Sequence, residues 1–129
     1  MDISRVMEKQ KVLFIEDDAF LAKIYTKAIE DAAYDSILAG TGEEGLKLAE
    51  REKPSIILLD ILLPHMDGFE FLEKIKSNPD LNSIPVLVIT NMSGREDVER
   101  ANSLGAAGYL IKAHTLPKDV VRKIQSILA

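Results

Sequence analysis

Two apolar runs of the chain stop abruptly on acids. Glu16 and Asp17 close KVLFIED with Asp18 just after, and Asp60 closes IILLD. Two more runs stop on other chemistry: PVLVIT ends on the Thr90 hydroxyl, and GYLIK ends on the Lys112 ammonium. Carboxylates gathered in one crevice repel, and at least one has its pKa pushed up unless a cation compensates. An all-oxygen ligand set suits a hard divalent ion, and Mg2+ with retained waters fits it. A carboxylate is also a nucleophile toward phosphorus, forming an aspartyl phosphate. A cation, an ammonium and a hydroxyl around one carboxylate are the groups that stabilise charge on a transferring phosphoryl group. Each acid taken singly has an ordinary alternative as a helix cap, and Asp18 is read as one. Asp60 has no evident cap role, because ILLPHMDG after it reads as a loop with its own Pro and Gly.

These groups meet only if the fold collects the ends of the apolar runs. The runs are Lys11 to Asp17, Ser36 to Ala39, Ile56 to Asp60, Pro85 to Thr90 and Gly108 to Lys112. Continuous rather than alternating apolarity predicts strands covered on both faces. Helical spacing falls between them. Phe20, Leu21, Ile24, Ala28 and Ala32 share one side of the first helix, Phe69, Leu72 and Ile75 one side of a later one, and Val120, Val121, Ile124, Ile127 and Leu128 one side of the last. The stretches Gly42 to Glu52 and Arg95 to Leu104 are helical with weaker apolar stripes. Thr41–Glu44, Asp67–Glu70 and Ser93–Glu96 have capping-box spacing, and Thr115 with Pro117 marks the last helix start.

The order is β-α five times over, which implies a parallel sheet with right-handed crossovers. The predicted fold is α/β: a doubly wound five-stranded parallel sheet of flavodoxin-like order 2-1-3-4-5, with helices on both faces. Ligands of such sheets bind beyond the strand carboxyl ends where the order reverses, here between the first and third strands. Residues 1–10 read as a polar N-terminal arm, and 11–129 as one domain.

Composition excludes several classes. With no cysteine there is no disulfide and no thiolate site. No apolar run approaches the roughly 20 residues of a membrane span, and the start lacks a signal-peptide core, so the expectation is a cytoplasmic protein with no membrane insertion. A net charge of −5, with Lys and Arg scattered among acids, argues against direct nucleic-acid binding. A bare-phosphate cofactor such as a flavin is disfavoured by the acids that follow the first strand. A phosphatase would normally want a substrate-covering cap, for which the length leaves no room.

Four segments in order, VLFIEDD, IILLDILLPHMDG, VLVITN and AAGYLIK, carry a family likeness. The chain resembles the receiver domain of two-component response regulators, the stand-alone chemotaxis type especially, over about Lys11 to Leu128. The resemblance implies that Asp60 is the phosphoacceptor, and that Mg2+ is held by Asp17 directly, by Glu16 through water, by Asp60 and by the Leu62 carbonyl. Thr90 and Lys112 would each take a phosphoryl oxygen. Tyr109 matches the switch aromatic, with a half-buried sheet aromatic as its alternative. Leu62 and Met92 would flank the path of an attacking water; both are apolar, which implies slow self-dephosphorylation. The implied partners are a sensor histidine kinase or phosphotransfer protein and a downstream protein target, with a monomer or phosphorylation-dependent dimer. No enzyme activity beyond its own phosphotransfer and aspartyl-phosphate hydrolysis is implied. Because the chain stops after the fifth helix, output is expected through another protein, with a phosphate relay or sink as the alternative.

Two positions depart from the family pattern. Ala113 stands where proline usually follows the lysine, so a trans Lys112–Ala113 bond and a re-routed loop to Thr115 are expected. Asn91 stands where a small residue usually follows the threonine; it could restrict small phosphodonors or hydrogen-bond the phosphoryl group. His65 and His114 read as solvated loop residues. The rival to a switch is a receiver-like interaction module that does not cycle phosphate.

Overall fold

The computed structural model describes residues 9–129, so residues 1–8 of the expected arm lie outside the described residues. Five strands, β1 (Lys11–Ile15), β2 (Asp35–Ala39), β3 (Ile56–Leu59), β4 (Val86–Thr90) and β5 (Gly108–Ile111), alternate with five α-helices. The helices are α1 (Ala19–Asp31), α2 (Gly42–Glu52), α3 (Gly68–Ser77), α4 (Arg95–Ser103) and α5 (Pro117–Leu128), and a 3-10 turn covers Lys112–His114. All strand pairs are parallel, in the order β2-β1-β3-β4-β5. This is the predicted doubly wound, flavodoxin-like sheet.

Side chains alternate across a strand, so each central strand feeds two cores. Leu13, Ile15, Ile57, Leu59, Val86 and Val88 pack with Ala49, Phe69, Leu72 and Ala101 from α2, α3 and α4. Val12, Phe14, Ile56, Leu58, Leu87 and Ile89 pack with Tyr25 and Ile29 of α1 and Val120 and Ile124 of α5. Each such burial contributes about 1.5–3 kcal/mol. The three inner strands are therefore held far more firmly than the loops at their ends. The edge strands are only partly covered, and Leu38 of β2 is exposed.

Some local expectations are corrected. The core face of α1 is Ala22, Tyr25 and Ile29, whereas Phe20 and Ile24 are exposed at 73% and 39%. A helix with apolar residues on two sides has two candidate stripes, and tertiary packing against Phe14 and α5 selects one. The edge-on contact of the Phe14 and Tyr25 rings, 5.9 Å between centroids, belongs to that selection. Thr41 caps α2 through the Glu44 N–H at 3.1 Å, but Glu44 reaches back to the Gly40 N–H, one residue earlier than a capping box requires. Asp67 caps α3 through the Glu70 N–H at 2.9 Å. Ser93 does not cap α4; its N-cap is Gly94, which has no side chain to bond. Thr115 does not cap α5. Its hydroxyl donates to the Ile111 carbonyl at 2.7 Å, while Asp119 accepts from the Leu116 N–H at 3.0 Å.

Candidate phosphoacceptor site

The β1–β3 ladder pairs Ile15 with Leu59, so Glu16 and Asp60 leave the sheet side by side. Their backbones remain tied to it: Asp60 N–H donates to Ile15 at 3.2 Å, and Glu16 N–H to Ala39 at 3.0 Å. Asp18 turns away, its Oδ1 accepting from the Phe20 and Leu21 N–H groups as the N-cap of α1. What remains is the cluster Glu16, Asp17 and Asp60, with carboxylate oxygens all within 4.8 Å of one another. Glu16 and Asp60 are buried, and Asp17 faces solvent.

Lys112 arrives from the end of β5 and spans the two buried acids. Its Nζ lies 2.5 Å from Glu16 Oε1 and 2.6 Å from Asp60 Oδ2. The second Asp60 oxygen, Oδ1, accepts from the Leu62 N–H at 3.0 Å. Burial, joined by the like charge of the adjacent Asp60 carboxylate, pushes the Glu16 carboxyl up to about 7 against the pull of Lys112. Burial opposes the charged form of Lys112 as well, but bonds and attraction from Asp60 and Glu16 outweigh it and raise its pKa. One ammonium offsets only one of three clustered carboxylates. Glu16 Oε2 is buried with no hydrogen-bond partner. An all-oxygen cluster with residual negative charge and an orphaned acceptor fits a hard divalent cation.

The sequence profile of the response regulator receiver domain matches residues 12–125. The chain belongs to that family. Curated relatives include the "probable transcriptional regulator ycf27" of Porphyridium aerugineum, 32% identical over 95% of this chain and 49% of that protein. Another is the polar-differentiation response regulator DivK of Brucella anthropi, 32% identical over 92% of this chain and 96% of DivK. Among solved structures, the chemotaxis protein CheY4 of Vibrio cholerae superposes with a TM-score of 0.87 at 26% identity, covering 94% of this chain and all of that one. The chain thus spans about half the length of the ycf27 relative and nearly all of DivK.

The receiver domain places its other expected residues around the same sheet edge. Thr90 is fully buried, and its Oγ1 accepts from the Met92 N–H at 3.3 Å. Tyr109 is half-buried and its hydroxyl donates to the Met92 carbonyl at 2.7 Å. Leu62 and Met92 line one cleft of about 250 Å³ with Ile61, Phe69, Asp67, Asp97 and Arg100. The Arg100 guanidinium lies 4.2 Å from the centre of the Phe69 ring there. Both histidines are exposed, in line with their reading as solvated. There is no cis peptide among the described residues, so Lys112–Ala113 is trans, as expected, and the chain continues into the 3-10 turn.

Two features were missed from sequence. From sequence Gly68 reads only as loop punctuation, but a Cβ there would lie 2.5 Å from Ile61 Cα and 2.7 Å from the Asp60 carbonyl oxygen. Only glycine lets α3 start this close beneath Asp60. Asn91 accepts a hydrogen bond from the Ala113 N–H at 3.0 Å. The two departures from the family pattern are therefore partners, which their separation of 22 residues concealed.

Proposed function

We propose that this receiver domain is a phosphorylation switch in which Asp60 takes a phosphoryl group from a phosphohistidine of a sensor kinase or phosphotransfer protein. The observation that carries the reading is the buried Asp60 carboxylate at a strand tip, bonded to Lys112 and flanked by Glu16 and Asp17. One Asp60 oxygen forms the new bond to phosphorus as the donor P–N bond breaks, its electron pair returning to the imidazole nitrogen. The Leu62 N–H and Lys112 Nζ orient the carboxylate before transfer. Lys112 then pairs with a phosphoryl oxygen and Thr90 donates its hydroxyl to another. Glu16, Asp17, Asp60 and the Leu62 carbonyl would hold Mg2+, which when bound neutralises the acids and the incoming charge. The added charge of roughly −1.5 to −2 recruits Thr90 and Lys112, shifts Tyr109 and alters the surface of α4, β5 and α5 for a downstream protein.

The site is adapted to its own phosphotransfer and to slow loss of the phosphoryl group. Phe20, Leu62 and Leu116 are exposed and follow β1, β3 and β5 in the chain, which offers a donor protein apolar purchase at the strand ends. No helix among the described residues is long and apolar enough to cross a membrane; a cytoplasmic setting is part of the proposal. Incubation with Mg2+ and a small phosphodonor, read by intact mass, tests the reading. A gain of about 80 Da that disappears in Asp60→Asn is expected. No gain, or one that survives the substitution, overturns the switch in favour of a module that does not cycle phosphate.

A further inference from the structure

The β4–β5 ladder ends where Thr90 pairs with Ile111. One residue beyond on β4, and two beyond on β5, the chains are tied again by a side chain: Asn91 Oδ1 accepts from the Ala113 N–H at 3.0 Å. Ala113 lies within the 3-10 turn Lys112–His114. The opening N–H groups of any helical turn lack partners inside it. Asn91 supplies one from a different loop, as an N-cap side chain does from its own. The bond exists because residue 113 is not proline, which has no N–H to give, and because residue 91 carries an acceptor.

Lys112 is the first residue of that turn, and its ammonium spans Glu16 and Asp60. Thr90 directly precedes Asn91. A tie between residues 91 and 113 thus fixes the backbone spacing of the two groups assigned to the phosphoryl oxygens. The neighbouring Tyr109–Met92 bond tethers the same loop from within β5 but stops short of the turn. The Asn91–Ala113 bond extends the tether to the residue that follows Lys112.

We infer that Asn91 is a positioning residue that clasps the turn after β5 to the loop after β4, holding Lys112 ready for a phosphoryl group on Asp60. It acts through the Ala113 N–H, not by touching the phosphoryl group or guarding its access. The inference rests on the phosphoacceptor reading of Asp60. Both residues are exposed, so removing the bond leaves the fold intact and loosens the placement of Lys112.

Beryllofluoride with Mg2+, a phosphoryl mimic on carboxylates, is the probe, titrated by 1H–15N correlation spectra. Asn91→Ala is expected to weaken its binding roughly threefold to tenfold, the worth of one ordinary hydrogen bond. The Ala113 amide proton should exchange faster in that variant, and Asn91→Asp, which keeps the acceptor oxygen, should restore slow exchange. In an Ala113→Pro background the donor is gone, so adding Asn91→Ala should change affinity by less than about twofold. Unchanged or tighter binding in Asn91→Ala overturns the clasp. A loss that persists in the Ala113→Pro background also overturns it, because Asn91 would then act on the phosphoryl group or its path. If the wild type takes no beryllofluoride, or Asp60→Asn takes it equally well, the phosphoacceptor reading itself falls, and the clasp's role with it.

Discussion

Glu16 offers a test of the electrostatics that needs no phosphodonor. Its carboxyl is raised from an ordinary 4.5 to about 7, chiefly by burial and then by Asp60, despite the bond to Lys112. Between those values the folded protein keeps a proton that the unfolded chain has released. Stability from that proton is complete below about pH 4.5 and is lost as pH rises through about 7. The difference corresponds to roughly 3 kcal/mol. Glu16→Gln keeps the shape and the oxygen that accepts from Lys112, but cannot ionise. Urea unfolding of both proteins without divalent cation, at about pH 4.5 and about pH 8, reads the Glu16 proton together with its coupling to Asp60 and Lys112, because titrating groups away from the cluster cancel in the difference. The two should be of similar stability at the lower pH. Glu16→Gln should be the more stable by up to roughly 3 kcal/mol at the higher pH. Saturating Mg2+ should close or reverse that gap, because binding to the folded state favours the chain with the stronger acid cluster. A difference independent of pH, or a wild type more stable than the variant at the higher pH without cation, refutes the reasoning.

Removing the ammonium with Lys112→Met leaves Asp60 and Glu16 buried without their cation and should cost about 3 kcal/mol in metal-free protein, read by urea unfolding. Leu62→Asn combined with Met92→Glu places polar groups in the cleft beside Asp60 and should shorten the phosphoryl half-life on the order of tenfold; an unchanged or longer half-life by intact-mass decay removes the case for apolar shielding. Tyr109→Phe deletes one hydrogen bond to the Met92 carbonyl and should cost about 1 kcal/mol, visible as a lower denaturation midpoint with unchanged slope. Gly68→Ala drives a methyl into backbone at Ile61 and Asp60 and should destabilise by about 1–3 kcal/mol; a melting temperature equal to the wild type would show that α3 can move aside.

The strand order and the four apolar runs that end in chemistry were legible in the sequence, because a buried parallel strand must be apolar throughout and its polar ending is then conspicuous. Asp18 was legible too, since its place before an apolar-periodic stretch identifies a cap from local spacing alone. The core face of α1 was not, because Phe20 and Ile24 are as apolar as Tyr25 and Ile29, and only docking against Phe14 and α5 decides which side is covered. The sequence could nominate Glu16, Asp17, Asp60 and Lys112, but tertiary structure decided how they share the crevice. Lys112 reaches Glu16 across 96 positions of chain and Asp60 across 52, and burial in that crevice pushes the Glu16 carboxyl up to about 7. Pairings such as Asn91 with Ala113 leave no periodic trace. A hydrogen bond between two loops depends on where two strands end in space, which follows from the registers of the whole sheet and not from any one segment.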